Sequence, residues 1–133
     1  MPPGKDIRSE QRFSNFLKAF SRYEEANRAH LSRLEEEGLI QRFEYTFELA
    51  WKCLQDLLAE RGYANVRGPR PVIEQAFQDG IISDGAIWLE MLRAQNESTH
   101  LYEESTFERI SKQVKSSFFS CLRNFREQFP KAR

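Results

Sequence analysis

The sequence predicts an all-α protein, an up-and-down four-helix bundle with one additional short helix. Three observations carry that expectation. Apolar residues recur every three or four positions through long, highly charged stretches. Glycine and proline cluster at a few points between those stretches. No run of useful length alternates apolar and polar residues at the period of a strand, and no segment repeats.

Residues 1–8, which include Pro2-Pro3-Gly4, are expected to form a flexible N-terminal tail, and residues 9–130 a single helical-bundle domain. A first helix is expected from Ser9, a plausible N-cap, to Glu37, with Phe13, Phe16, Leu17, Phe20, Tyr23, Leu31 and Leu34 on one face. Gly38 is its expected stop. The acids Glu35, Glu36 and Glu37 then sit at a helix C-terminus, where they oppose the dipole. A second helix follows from Leu39 to Arg61, burying Ile40, Phe43, Phe47, Ala50, Trp51, Leu54, Leu57 and Leu58, and Gly62 ends it. A short turn between the two implies an antiparallel pair.

Tyr63 to Arg70 is the one substantial loop. Pro71 is placed at the first position of a short helix to Gln78, with Val72, Ile73, Ala76 and Phe77 facing inward. Asp79-Gly80 ends that helix, and Ser83-Asp84 caps the next, which carries Ile87, Trp88, Met91 and Leu92. The polar run Glu97-Ser98-Thr99 implies a break near His100. One last helix is expected from Glu103 to Phe129, closed by Pro130.

A chain of 133 residues can bury a core without disulfides or metals. Cys53 and Cys121 have no Cys or His at ligand spacing, so they are expected as small core residues, with no metal and no cofactor. Formal net charge is zero, so any nucleic acid contact would need a local patch. With no apolar run near the ~20 residues of a membrane span and no leader pattern, a cytoplasmic location is expected. Trp51, Trp88, Tyr102 and the Phe-rich helices offer more bulky apolar surface than one bundle readily shares, which suggests a homodimer.

Chemistry concentrates in Trp88 to Glu104, where Arg93, Asn96, His100 and Tyr102 gather. Metal-free RNA cleavage needs an acid, a base and a cation for the phosphate. Histidine, with an unperturbed pKa of ~6.5, serves as either acid or base, and arginine offers a forked cation. His100 equally serves as a bridge across a helix break, Asn96 as a helix C-cap, and Tyr102 as a half-buried aromatic. His30, among Arg28 and Arg33, reads as a residue of a solvated face. Arg61, Arg67 and Arg70 cluster at the loop, and Lys112, Lys115, Arg123 and Arg126 along the last helix. Most of these read as solvated, with the loop arginines the better RNA candidates.

Phe43-Glu-Tyr-Thr-Phe-Glu-Leu-Ala-Trp-Lys52 resembles the signature of the nucleotidyltransferase substrate-binding protein family, a branch of the HEPN-like helical bundles. So do Pro71-Val-Ile-Glu-Gln-Ala-Phe-Gln-Asp-Gly-Ile-Ile82 and Asp84-Gly-Ala-Ile-Trp-Leu-Glu-Met-Leu92 running into His100-Leu-Tyr102. The resemblance covers nearly the whole chain. It implies a homodimeric bundle that partners a minimal nucleotidyltransferase in a toxin–antitoxin-like pair. It also implies a metal-independent ribonuclease silenced when the transferase adenylylates Tyr102. The family pattern reads Arg-Asn-x-x-x-His-x-Tyr. Asn96, His100 and Tyr102 match it, but Gln95 stands where the arginine belongs, and Arg93 lies two residues earlier. In a helix those two positions point about 200° apart. A plain nucleotide-binding or structural bundle is the remaining option, and no phosphate loop is present to support the former.

Overall fold

The computed structural model describes residues 7–133 and contains helices but no strand among them. The elements are α1 (Ile7–Ala26), α2 (Arg33–Glu60), α3 (Pro69–Gln78), α4 (Gly85–Asn96), a single 3-10 turn (Ser98–His100), α5 (Glu104–Lys115) and α6 (Ser117–Ala132). Helix α2 is the longest and packs against α1, α3, α5 and α6. The expected all-α bundle with a short extra helix is what the chain forms.

Several boundaries differ from expectation. The first helix ends at Ala26, not Glu37, and α2 runs straight through Gly38. The turn between them places His30 in the left-handed region, at φ 62°, which suits histidine better than a β-branched residue. Ser32 then caps α2 reciprocally: its Oγ accepts from the Glu35 amide at 3.1 Å, and its own amide donates to Glu35 Oε1 at 2.9 Å. The acids thus occupy a helix N-terminus, where the dipole favours them. Leu34, expected inside, is 77% exposed. Ser9, expected as a cap, is buried within α1. Residues 1–6 of the expected tail lie outside the described residues, and Ile7 and Arg8 are already helical.

Gly62 ends α2 as expected, at φ 99°, and its amide and that of Tyr63 close on Ala59 and Leu58. Helix α3 starts at Pro69 rather than Pro71. Phe77, expected inward, is half exposed and lies over Gly85, where an added Cβ would come within 2.8 Å of its ring. Cap residue Asp84 makes no side-chain capping bond. The expected last helix is two, broken at Ser116, and α6 continues through Pro130 to Ala132. That break exposes the last carbonyls of α5, and α1 with the residue that follows it satisfies them: Tyr23 Oη donates to the Val114 carbonyl and Asn27 Nδ2 to that of Lys115, at 3.2 Å. Burial pushes the Tyr23 hydroxyl far above the usual tyrosine range, so it stays a donor.

The core is aromatic. Phe16 meets Phe125 edge-on at 4.9 Å, Phe43 stacks on Phe118 at 5.0 Å, and Trp88 meets Phe125 at 5.4 Å. Trp51 and Trp88 are buried within one chain, so they leave no surplus surface of the kind expected of them. Both cysteines are buried and free, and burial pushes the Cys53 thiol up to about 12. Arg12 with Asp56 at 2.8 Å, and Tyr23 against Phe43, show that α1 and α2 run antiparallel.

Candidate functional site: the turn between α4 and α5

The end of α4 is held by one carboxylate. Glu97 is the C-cap of α4; it accepts from Arg93 Nε at 2.9 Å and from Arg109 of α5. The Arg109 bond, followed by that of Arg93, holds its carboxyl below the usual range. The chain then makes its 3-10 turn, with the His100 amide donating to the Glu97 carbonyl at 2.8 Å and the Glu103 amide to the His100 carbonyl at 3.0 Å. Leu101 packs against the core and anchors the turn. Its neighbours His100 and Tyr102 face solvent, with ring centroids 6.1 Å apart. His100 Nδ1 is 3.6 Å from Glu103 Oε1, too long for a direct hydrogen bond.

The four candidate residues therefore divide into two pairs. Arg93 and Asn96 line one shallow depression with Arg70, Leu89 and Leu92. His100 and Tyr102 share the turn. Arg93 is exposed, and its guanidinium is engaged by Glu97, not by His100. Of the loop arginines, Arg70 borders the depression and pairs with Glu74 at 3.7 Å, while Arg61 donates to the Ala132 carbonyl. Lys115 and Arg126 of the last two helices are paired with Glu36 and with Glu24 and Glu127.

Gln95 does something the sequence did not announce. Its side chain turns inward and donates to Glu48 Oε2 of α2 at 3.0 Å. The same oxygen accepts from Trp51 Nε1 at 3.0 Å, and Lys52 Nζ lies 3.3 Å from the other. Burial pushes the Glu48 carboxyl up, but the bonds from Gln95, Trp51 and Lys52 outweigh it and leave it below the ordinary range. A position that holds arginine in the related pattern here holds a neutral amide, and the positive charge beside Glu48 comes from Lys52. One turn earlier on α2, Glu44 is bonded to Ser98 of the 3-10 turn, and burial raises its carboxyl. Glu44 and Glu48 thus brace the site from beneath. Their spacing of four within Phe43–Lys52 was the available signal; Arg109 had none.

Among the described residues no cluster of three or more His, Cys, Asp or Glu is placed to hold a metal ion. No described helix is long and apolar enough to cross a membrane.

Fold and site together define a small antiparallel helical bundle that displays a His-x-Tyr turn at one end of α4. A family model described as nucleotidyltransferase substrate binding protein like matches residues 11–131, and the chain belongs to that family. It is also similar to a crystal structure of a Thermus thermophilus protein, with 27% identity and a TM-score of 0.78. That match covers 89% of this chain and 98% of the other. Among curated proteins, none matches.

Proposed function

We propose that this chain is the homodimeric helical partner of a minimal nucleotidyltransferase in a toxin–antitoxin-like pair, with Tyr102 as the residue the transferase adenylylates. The observation that carries the reading is the presentation of Tyr102. It is 78% exposed, on a turn anchored by Leu101 on one side and Glu103 on the other. Its hydroxyl has no hydrogen-bond partner among the described residues. In the transfer, the phenolic oxygen attacks the α-phosphorus of ATP, pyrophosphate leaves, and the phenolic proton passes to solvent or to a base of the transferase. Half-exposed Phe77 supplies apolar surface for a second copy of the chain.

The test is incubation with the cognate transferase and ATP, read by intact-mass spectrometry. Wild type is expected to gain adenylyl groups and Tyr102→Phe to gain none. Equal labelling of both, or failure of the two proteins to co-purify, overturns the reading. A monomeric mass by light scattering removes the homodimer.

A second reading makes the chain a metal-independent endoribonuclease, with His100 as acid or base, Arg93 and Asn96 at the phosphate, and Tyr102 as the silencing site. The exposure of His100 beside Tyr102 favours it; the pairing of Arg93 with Glu97 weighs against it. Cleavage of RNA in EDTA by wild type but not by His100→Ala is its expected result, and equal background from both rejects it.

A further inference from the structure

The strongest feature outside the α4–α5 turn is a groove of 560 Å³ between α1 and α2. Its walls carry Lys18 and Arg22 from α1 and Arg42 from α2, and no carboxylate lines it. On a chain whose twenty basic and twenty acidic residues balance, that is an uneven distribution. Elsewhere nine arginines and lysines meet a carboxylate, among them Arg12, Arg93, Arg109 and Lys115. The three in the groove have no ion pair or hydrogen bond from their side chains among the described residues. Asn15 and Gln41 add amides, and Tyr45, 64% exposed, stands at the edge with its ring open to solvent.

A second, independent observation is the floor. Gly38 lies inside the longest helix, where glycine costs roughly 1 kcal/mol relative to alanine. Nothing in the chain requires it: φ is ordinary, and a Cβ added there would meet no atom within 4 Å. The fold has no use for a missing side chain at this position. An incoming ligand does, because the bare helix lets it settle between the cations.

We propose that the α1–α2 groove binds the phosphate groups of a nucleotide, free or within a single strand, using Lys18, Arg22 and Arg42 over the Gly38 floor. Lys18 and Arg22 stand one helical turn apart, about 6 Å along the axis, the spacing of neighbouring phosphates. Arginine forks match phosphate oxygens, and an exposed tyrosine ring offers a face on which any base can stack. A second copy of the chain is the weaker occupant: a twofold contact at this groove would bring both sets of three like charges together. The proposal stands apart from the α4–α5 turn and does not rest on the transferase reading.

The experiment measures fluorescence anisotropy of a short, labelled single-stranded oligonucleotide with the full chain, competed by ATP and by inorganic triphosphate. Binding is expected, with log affinity falling against log salt at a slope of about −2, as three phosphate contacts to a single strand require. Arg22→Ser with Arg42→Ser is expected to weaken it at least tenfold. Gly38→Leu is expected to do the same by filling the groove without removing charge, while melting no lower than wild type. Lys112→Ser with Lys131→Ser, cations outside the groove, is expected to leave binding unchanged. Tyr45→Ala is expected to weaken the oligonucleotide but not triphosphate. Competition by ATP at lower concentration than triphosphate assigns a free nucleotide; binding only by the oligonucleotide assigns a strand. Absence of salt-dependent binding, an equal loss in the Lys112 and Lys131 variant, or unaltered binding by Gly38→Leu overturns the proposal. So does a change of oligomeric mass in the Arg22 and Arg42 variant, which would mark a chain–chain contact.

Discussion

Two interruptions of the helical pattern, at Ser116 and between Asn96 and Glu104, treat their polar groups in opposite ways. At Ser116 the freed carbonyls are satisfied from within the fold. Tyr23 and Asn27 satisfy the freed carbonyls, and nearby Ser111 and Lys115 both bond Glu36 of α2. Between α4 and α5 the backbone is closed by its own hydrogen bonds, and the side chains of His100 and Tyr102, exposed and beside each other, form no hydrogen bond to the rest of the fold. A break whose side chains are consumed belongs to the architecture. One that holds its backbone and displays a histidine and a tyrosine to solvent is suited to meet something else.

That contrast can be broken by mutation, most sharply at Tyr23. Tyr23→Phe leaves the Val114 carbonyl buried and unpaired, and is expected to cost about 1–3 kcal/mol in urea denaturation. A silent Tyr23→Phe would remove the architectural half of the comparison. Ser32→Ala deletes the reciprocal cap of α2 and is expected to cost about 1 kcal/mol, measured the same way. If it proves neutral, the acids that follow are holding the helix end alone.

Acid titration reaches the Ser116 side through Glu36. The hydrogen bond from Lys115, with that from Ser111, lowers its carboxyl in the folded state. Its contribution is therefore present above the unfolded glutamate value and lost as pH falls through the lower, folded value. Glu36→Gln is expected to flatten that acid limb, and an unchanged pH profile would deny the linkage. The smallest stability effects belong to the other break. His100→Ala and Tyr102→Phe are each expected to change stability by less than about 0.5 kcal/mol, because nothing packs on either ring from the core. A loss of several times that from either would place the residue in the architecture after all.

The same contrast explains what the sequence disclosed. Element faces were legible because burial follows helical spacing: Phe43, Phe47, Leu54 and Trp88 lie where periodicity puts them. The α4–α5 break was legible too, since a local polar run marks it. The α1–α2 break was legible in principle and misplaced. Ser32-x-x-Glu35 spells a capping box, and three acids at a supposed C-terminus were a warning that they stood at an N-terminus. Gly38 drew the boundary instead, although no φ there demands glycine. The break at Ser116 could not be read locally, because its capping groups sit some ninety positions earlier, on α1 and just after it. Of the candidate site, His100 and Tyr102 were found as neighbours. The diversion of Arg93 to Glu97 and of Gln95 to Glu48 depends on which way α4 is rotated, which adjacent residues do not record.

The long-range caps at Ser116 also set an order of events during synthesis. Tyr23 and Asn27 leave the ribosome early, but they have nothing to cap until Val114 and Lys115 have emerged and α5 has folded back against α2. Until then the segment from Glu104 onward has no reason to bend, and its sequence favours one continuous rod. The bend, and with it the docking of Phe118, Phe125 and Phe129 into the core, is expected among the last steps of folding.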